Sequence, residues 1–263
     1  MATSSKATYL ILAIGLLGGL VAVWALKTPP GSGRFKDSEL AARGPARPPG
    51  LGGAPPEVRE FLGRVLEELS EGGAGVTGYQ FRQWEREGKP THEVLGIKAI
   101  PGVDPDDVIS RVMDVDGYEG HIAHVEACRS LRDPAHETPE RVHFFQRVEI
   151  PGVAKVQHEL VLVDAGILNG YRLAYWYLLG PKTEALDPGA GARSEFNVGA
   201  WIVAPGVVGY ALSTWPRRGD VNGLQWVLLT SGADGLAKKV VEHNLDGIAA
   251  WAKERRGVGP APR

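Results

Sequence analysis

The chain has 263 residues, enough for one large domain or two small ones, and its 43% hydrophobic content permits a sizeable core. A net charge of −2 and a pI near 6.4 provide no positive field for nucleic acid and no acidic excess of the kind that keeps chains disordered. The single cysteine, Cys128, excludes an internal disulfide and a multi-cysteine zinc site.

After a short tail (1–6), Ala7 to Leu26 runs ATYLILAIGLLGGLVAVWAL without a charge. At about 1.5 Å per residue this spans roughly 30 Å, the thickness of a bilayer's hydrocarbon core. Lys6 and Lys27 bracket it, and Tyr9 and Trp24 sit near its two ends, where membrane interfaces favour aromatic rings. The competing reading is a cleaved signal peptide with Val23-Trp24-Ala25 as its processing site. Signal h-regions run only about 7–15 residues, so a single-pass anchor (7–26) is the expectation. Counting the basic residues that follow (Lys27, Arg34, Lys36, Arg43, Arg47) would keep the domain cytoplasmic. A short N-terminus before an apolar stretch is, however, how many exported, anchored bacterial proteins begin, and the expectation here is the exported side.

Residues 27–56 form a Pro/Gly-rich tether (PPGSG, ARGPARPPG, LGGAPP) with almost nothing large to bury. Glu57 to Glu71 then carries Val58, Phe61, Leu62, Val65, Leu66 and Leu69 at helical spacing, and Gly72-Gly73 stops the helix. Two strand-like runs follow, Val76–Glu85 and Glu93–Ile100, joined by a Gly88-Lys89-Pro90 turn. Asp104 is placed to cap a helix whose first turn holds Pro105, Asp106 and Asp107. A short helical turn is expected over Gly117–Ile122.

Six extended runs come next: His124–Leu131, Arg141–Ile150, Val153–Val163, Tyr171–Leu179, Glu195–Ala204 and Val207–Trp215. Turn-forming connections, mostly short, predict an antiparallel meander. In Arg141–Ile150 apolar and polar residues alternate, except that Phe145 and Gln146 break the pattern in the middle. Later runs are apolar on both faces, as a sheet covering a cavity or a helix would be. Leu224 to Arg255 is helical, with a break near Ser231–Gly235 and a broad apolar stripe from Ala237 to Ala252. Residues 256–263 are a frayed tail.

This order of elements resembles the START-like superfamily, whose helix-grip fold includes START lipid-transfer domains and polyketide cyclases. Local segments agree over residues 75–255: VISRVMDVDGYEGH (108–121), FFQRVEIPGVAKVQHELV (144–161) and EFNVGAWIVAPGVVGYALSTW (195–215). Where the family commonly starts a strand with Arg-Asp, this chain has His158-Glu159, and no acidic-Pro-Gly run follows Trp215. The resemblance implies an α+β fold over 57–255, a curved antiparallel sheet wrapped around a long C-terminal helix, with a hydrophobic cavity between them. Strand parity and the family pattern together point His158, Leu160, Leu162, Trp176, Val198, Ala200 and Ile202 into that cavity. Trp226, Leu229 and Val240 are expected to close it from the helix side.

The implied function is a membrane-tethered carrier or sensor for a lipid, sterol or similar apolar molecule, with no cofactor. The alternative is a cyclase- or aromatase-like enzyme using the same pocket, for which His158, Glu159 and Arg172 are the acid–base candidates. Other chemistry lacks a pattern. His121 and His124 straddle a helix–strand junction without a third ligand, so no metal is expected. Ser213 and Cys128 lack nucleophile signatures, and Gly72–Gly75 lacks the Lys-Ser/Thr of a phosphate loop.

Overall fold

The computed structural model describes residues 50–72, 76–136, 138–180, 186–230 and 234–254. The expected anchor (7–26), the tether up to residue 49 and the tail (256–263) lie outside the described residues. Among the described residues no helix is long and apolar enough to cross a membrane.

Helix α1 (Pro56–Gly72) is followed by strands β1 (Tyr79–Trp84) and β2 (Glu93–Ala99) and helix α2 (Pro105–Met113). Strands β3 (Val125–Ser130), β4 (Arg141–Ile150), β5 (Ala154–Leu168), β6 (Tyr171–Leu178), β7 (Ala192–Ala204) and β8 (Val207–Pro216) come next. Two helices end the fold, α3 (Gly223–Thr230) and α4 (Asp234–Glu254). The eight strands form one sheet in the order β1-β2-β8-β7-β6-β5-β4-β3. The expected meander is therefore present from β3 to β8, and the β1–β2 hairpin joins its last strand.

Local chemistry sets several boundaries. Asp104 accepts a hydrogen bond from the Asp106 amide and caps α2, with Pro105 in the first turn. The expected second helical turn is instead a single 3-10 turn at Val115–Gly117. Residues 164–168, expected as a connection, continue β5: a register shift between Asp164 and Gly166 lets the strand run on to the Asn169-Gly170 turn.

Both faces of the sheet are covered, which explains the strands that are apolar on both sides. On the convex face α1 buries Val58, Phe61, Leu62, Val65 and Leu69 against Leu95, Val161, Leu173, Tyr175 and Ile202. A buried carboxylate fixes this contact. Glu93 is fully buried, takes a two-pronged bond from Arg64 of α1 at 2.9 and 2.7 Å, and accepts from Trp84 Nε1 at 2.8 Å. The end of the tether is tied down too, since Ala54 is buried and Leu51 packs on the same core.

The concave face grips α4. Val241, Leu245, Ile248, Ala249, Trp251 and Ala252 pack with α2 residues Val108, Ile109 and Val112 and with sheet residues such as Phe144 and Trp201. Close approach depends on absent side chains. A Cβ on Gly96 of β2 would lie 2.2 Å from a Val241 methyl, and one on Gly247 of α4 would lie 2.1 Å from the His121 carbonyl oxygen. Lys98 secures the edge of the helix through Asp246 at 2.6 Å, and Tyr79 donates to the Lys238 carbonyl at 2.9 Å.

Gly63 of α1 is exposed with no atom near its missing Cβ, whereas Gly247 is in contact. Gly63→Ala should therefore raise the thermal midpoint, reflecting a gain of about 1 kcal/mol in helix propensity. Gly247→Ala should lower it despite the same propensity gain. Calorimetry showing both changes with one sign would contradict this seating of α4.

Candidate ligand cavity

Between the concave face and the last two helices lies a cavity of about 210 Å³. A single water needs only about 10–15 Å³ on the same scale, so the space exceeds a solvent site. Its floor comes from β4, β5, β6, β7 and β8, through side chains such as Val148, Val156, Trp176, Leu212 and Trp215. Its roof is one stripe of α4, Leu236, Val240 and Asn244 at successive i, i+4 positions, with Ala237 beside them, plus Leu228 and Leu229 of α3. The neighbouring stripe of α4, Val241, Leu245 and Ile248, is the one packed solid. The cavity is thus the part of the grip that α4 leaves unfilled.

Helix α3 is held as a lid by a reciprocal cap. The Asn222 amide donates to Gln225 Oε1 at 3.0 Å, and the Gln225 amide donates to Asn222 Oδ1 at 2.9 Å. Gln225 Nε2 also reaches the Val153 carbonyl at 2.9 Å, and Arg218 lies over the Trp226 ring at 5.1 Å. The preceding loop is pinned by Asp220, which takes a two-pronged bond from Arg193 at 2.6 and 2.8 Å. The Arg193 side chain holds the Asp220 carboxyl below its ordinary pKa.

Of the ten residues expected to line the cavity, His158, Trp176, Leu229 and Val240 do so. Leu160 and Leu162 are on the concave face but are packed into the solid core. Val198, Ala200 and Ile202 are a correction: they point to the convex side and pack in the α1 core. The register fixes this. Leu162 pairs with Trp176, Trp176 with Gly199 and Gly199 with Leu212, so β7 turns its odd-numbered residues to the concave side. Both faces of β7 are apolar, and alternation alone could not set its phase. Trp226 is also outside the lining, because its ring is taken up by Arg218 on the flank of α3.

Gln146, Ser194 and Asn197, which were not expected at the site, join the expected His158 and Trp176 in a chain across the cavity floor. Trp176 Nε1 donates to Asn197 Oδ1 at 2.8 Å. His158 Nδ1 lies 3.2 Å from Ser194 Oγ and 3.5 Å from Asn197 Nδ2, and its Nε2 lies 2.9 Å from Gln146 Oε1. These partners assign a neutral ring that donates through Nε2 and accepts at Nδ1. Burial pushes the His158 pKa down to about 4, consistent with that neutral form. Gln146 is the residue that interrupts the alternation in β4. That break, beside the expected His158, was a sequence signal of a polar group facing the cavity.

The other acid–base candidates are elsewhere. Glu159 faces away, 3.2 Å from His143 Nε2. Arg172 is bonded to Asp164 and Asp106, and these carboxylates raise its pKa. His121 stacks on Trp251 at 4.4 Å and bonds the Gly117 carbonyl, so it packs α4. Among the described residues no group of three or more His, Cys, Asp or Glu side chains could hold a metal ion. Cys128 is buried, and burial with nearby Asp116 and Glu119 pushes its pKa up, away from a reactive thiolate.

This arrangement, an antiparallel sheet closed on a C-terminal helix, recurs in solved structures. The chain superposes on a STAR-related lipid transfer protein fragment from Xanthomonas axonopodis with a TM-score of 0.54 at 16% identity, covering 68% of this chain and 95% of that one. It superposes on human STARD10 with a TM-score of 0.54 at 13% identity, covering 79% and 85%. The fold is START-like. No protein-family model and no curated protein matches the sequence. Its START-like fold is therefore carried by geometry at low identity.

The neutral histidine has a thermodynamic consequence. Below the ordinary value of 6.5 an unfolded chain protonates this side chain, while the folded chain resists until about 4. Stability conferred by burying neutral His158 is full above pH 6.5 and is lost as pH falls towards 4. The thermal midpoint of the wild type should decline through that window more steeply than that of His158→Gln. Parallel declines would show that His158 titrates normally.

Proposed function

We propose that the domain binds a lipid or similar hydrophobic molecule in this cavity, as a carrier or sensor supplied by a nearby membrane. The observation that carries the reading is the cavity itself: a largely apolar space between sheet and helix, floored by a few polar groups held in fixed geometry. Two proteins of the same fold are named for lipid transfer or for the START-related group, which adds support of a general kind. Helix α3 adds a local reason to expect contact with an apolar phase. It carries no charge, and Leu224 and Val227 are 71% and 53% exposed on the outside of the lid whose inner side lines the cavity.

In this proposal residues 7–26 anchor the chain on the exported side of a membrane. The tether then keeps the cavity within reach of the bilayer and raises the local concentration of ligand. The acid–base alternative has less support, because His158 is neutral with both ring nitrogens engaged, and Glu159 and Arg172 are bonded away from the cavity.

The test is mass spectrometry of organic extracts from the purified full-length chain. A lipid-like molecule should co-purify with the wild type and be lost in Val240→Trp, which fills the roof of the cavity while melting stays cooperative. Ala200→Trp should instead overpack the convex core and destabilise the fold by about 1–3 kcal/mol or more. Retention of the same molecule by Val240→Trp would show that the cavity is not the site. The anchor is tested separately: the chain should resist alkaline extraction from membranes, and removing residues 1–30 should release it.

A further inference from the structure

A second, smaller space of about 90 Å³ adjoins the main cavity on its β1–β2 side. Leu212 and Thr214 of β8 below, and Leu229 of α3 and Ala237 of α4 above, line both spaces and bracket the neck between them. The register carries the floor across, since Gln83 of β1 pairs with Val94 and Val94 pairs with Leu212. The smaller space meets solvent at this edge, where Gln83 is exposed and the His92 side chain is partly exposed. A ligand can therefore touch these groups.

The two spaces differ in chemistry. The roof of the main cavity is mostly leucine and valine, whereas Gln83, His92, Thr214 and Thr230 give the smaller space a polar lining. Thr214 donates its hydroxyl to the Phe196 carbonyl at 3.0 Å, and Thr230 donates to the Trp226 carbonyl at 2.8 Å. A carbonyl cannot donate, so each hydroxyl proton is committed and only oxygen lone pairs remain for a ligand. The Thr91 hydroxyl is itself buried and takes no part. Among the described residues no Arg, Lys, Asp or Glu lines either space. An anionic headgroup would thus meet lone pairs with no cation to compensate. Glu85, 3.7 Å from His92 Nε2, is exposed and too well screened to serve as a buried counter-ion for a cationic one. A hydroxyl, by contrast, can donate to the threonines and exchange hydrogen bonds with the Gln83 amide.

We propose that the smaller space is a headgroup site, and that the ligand is a single amphipathic lipid with an uncharged, hydroxyl-bearing head. The head lies between Gln83, Thr214 and Thr230, and the hydrocarbon chain passes the neck beneath Leu229 and Ala237 towards β4 and β5. This rests on the main cavity being a ligand site and deepens that reading by assigning the ligand's class and direction. Apolar burial supplies the affinity. The head supplies the discrimination, because threonines that present only lone pairs gain nothing from an analogue without a donor. Keeping the head at the open edge also spares part of its hydration.

The probes are monolauroylglycerol, the same ester with both hydroxyls methylated, and the same ester carrying a phosphate. Binding of each to the full-length chain is measured by native mass spectrometry after release from detergent. The diol should bind about ten-fold more tightly than either analogue. Gln83→Leu combined with Thr230→Val should bring the diol down to the level of its methylated form and leave that form unchanged. Equal affinity for the two in the wild type, or tighter binding of the phosphate, would overturn the headgroup class. Direction is read by photolabelling. A diazirine at the end of the chain should label peptides of β4 or β5, and a diazirine on the head should label peptides carrying Gln83 or Thr230. The reverse pattern would overturn the headgroup site while leaving the cavity in place. Failure of all three probes to bind would also overturn it, and if Val240→Trp still kept its co-purifying molecule the cavity reading would fall with it.

Discussion

The structure turns on how α4 is seated, because the cavity exists only where that seating is incomplete. Gly96 brings Val241 hard against β2, and Gly247 brings the helix onto the His121 carbonyl. A third glycine, Gly117, leaves room for the Trp251 ring, where a Cβ would come within 2.5 Å. These contacts fix the height of the helix above the sheet along its packed stripe. The stripe next to it, Leu236, Val240 and Asn244, is then held above the floor by its neighbours and not by anything beneath it. Protein interiors normally close such gaps, so a persistent one needs rigid supports on both sides.

The support from outside is α1. A strand apolar on one face can be bent by a single helix, but a sheet apolar on both faces needs two covers. Burying Phe61, Leu62 and Val65 against the convex side stiffens the floor of the cavity from behind. Glu93 makes the attachment directional. Its buried carboxylate must keep Arg64 and Trp84 or strand a charge, which penalises any slide of α1 along the sheet. The ion pair thereby specifies position more than it adds stability.

Much of the fold was legible in the sequence because its signals are local. Asp104 caps its helix through its own side chain, and Pro151-Gly152 ends β4 at the residue where alternation stops. The break between the last two helices was legible from its small residues. The phase of β7 was not, because Val198, Ala200 and Ile202 on one face and Trp201 and Val203 on the other are equally apolar. Only the pairing Trp176 to Gly199 decides between them, and that contact is set by packing: a Cβ at Gly199 would fall 2.1 Å from the Trp176 ring. The polar chain was illegible for a related reason. Gln146, His158, Ser194 and Asn197 come from three strands and meet only when the register is known. Of the four, His158 was placed in the cavity by strand parity and the family pattern, and Gln146 left a trace as the polar residue in an apolar phase.

The neutrality of the site ties these features to ligand choice. Within a low-dielectric cavity each unsatisfied polar atom is expensive, so the number and state of such atoms define what can enter. The His158 chain is self-satisfied and presents a fixed polar strip, which tolerates a hydrocarbon lying across it without stranding a donor. Protonating His158 would convert its Nδ1 from acceptor to donor and set it against the Ser194 and Asn197 groups that now serve it. The low pKa of that ring therefore keeps the floor of the cavity in one hydrogen-bonding state across the pH range in which cells operate.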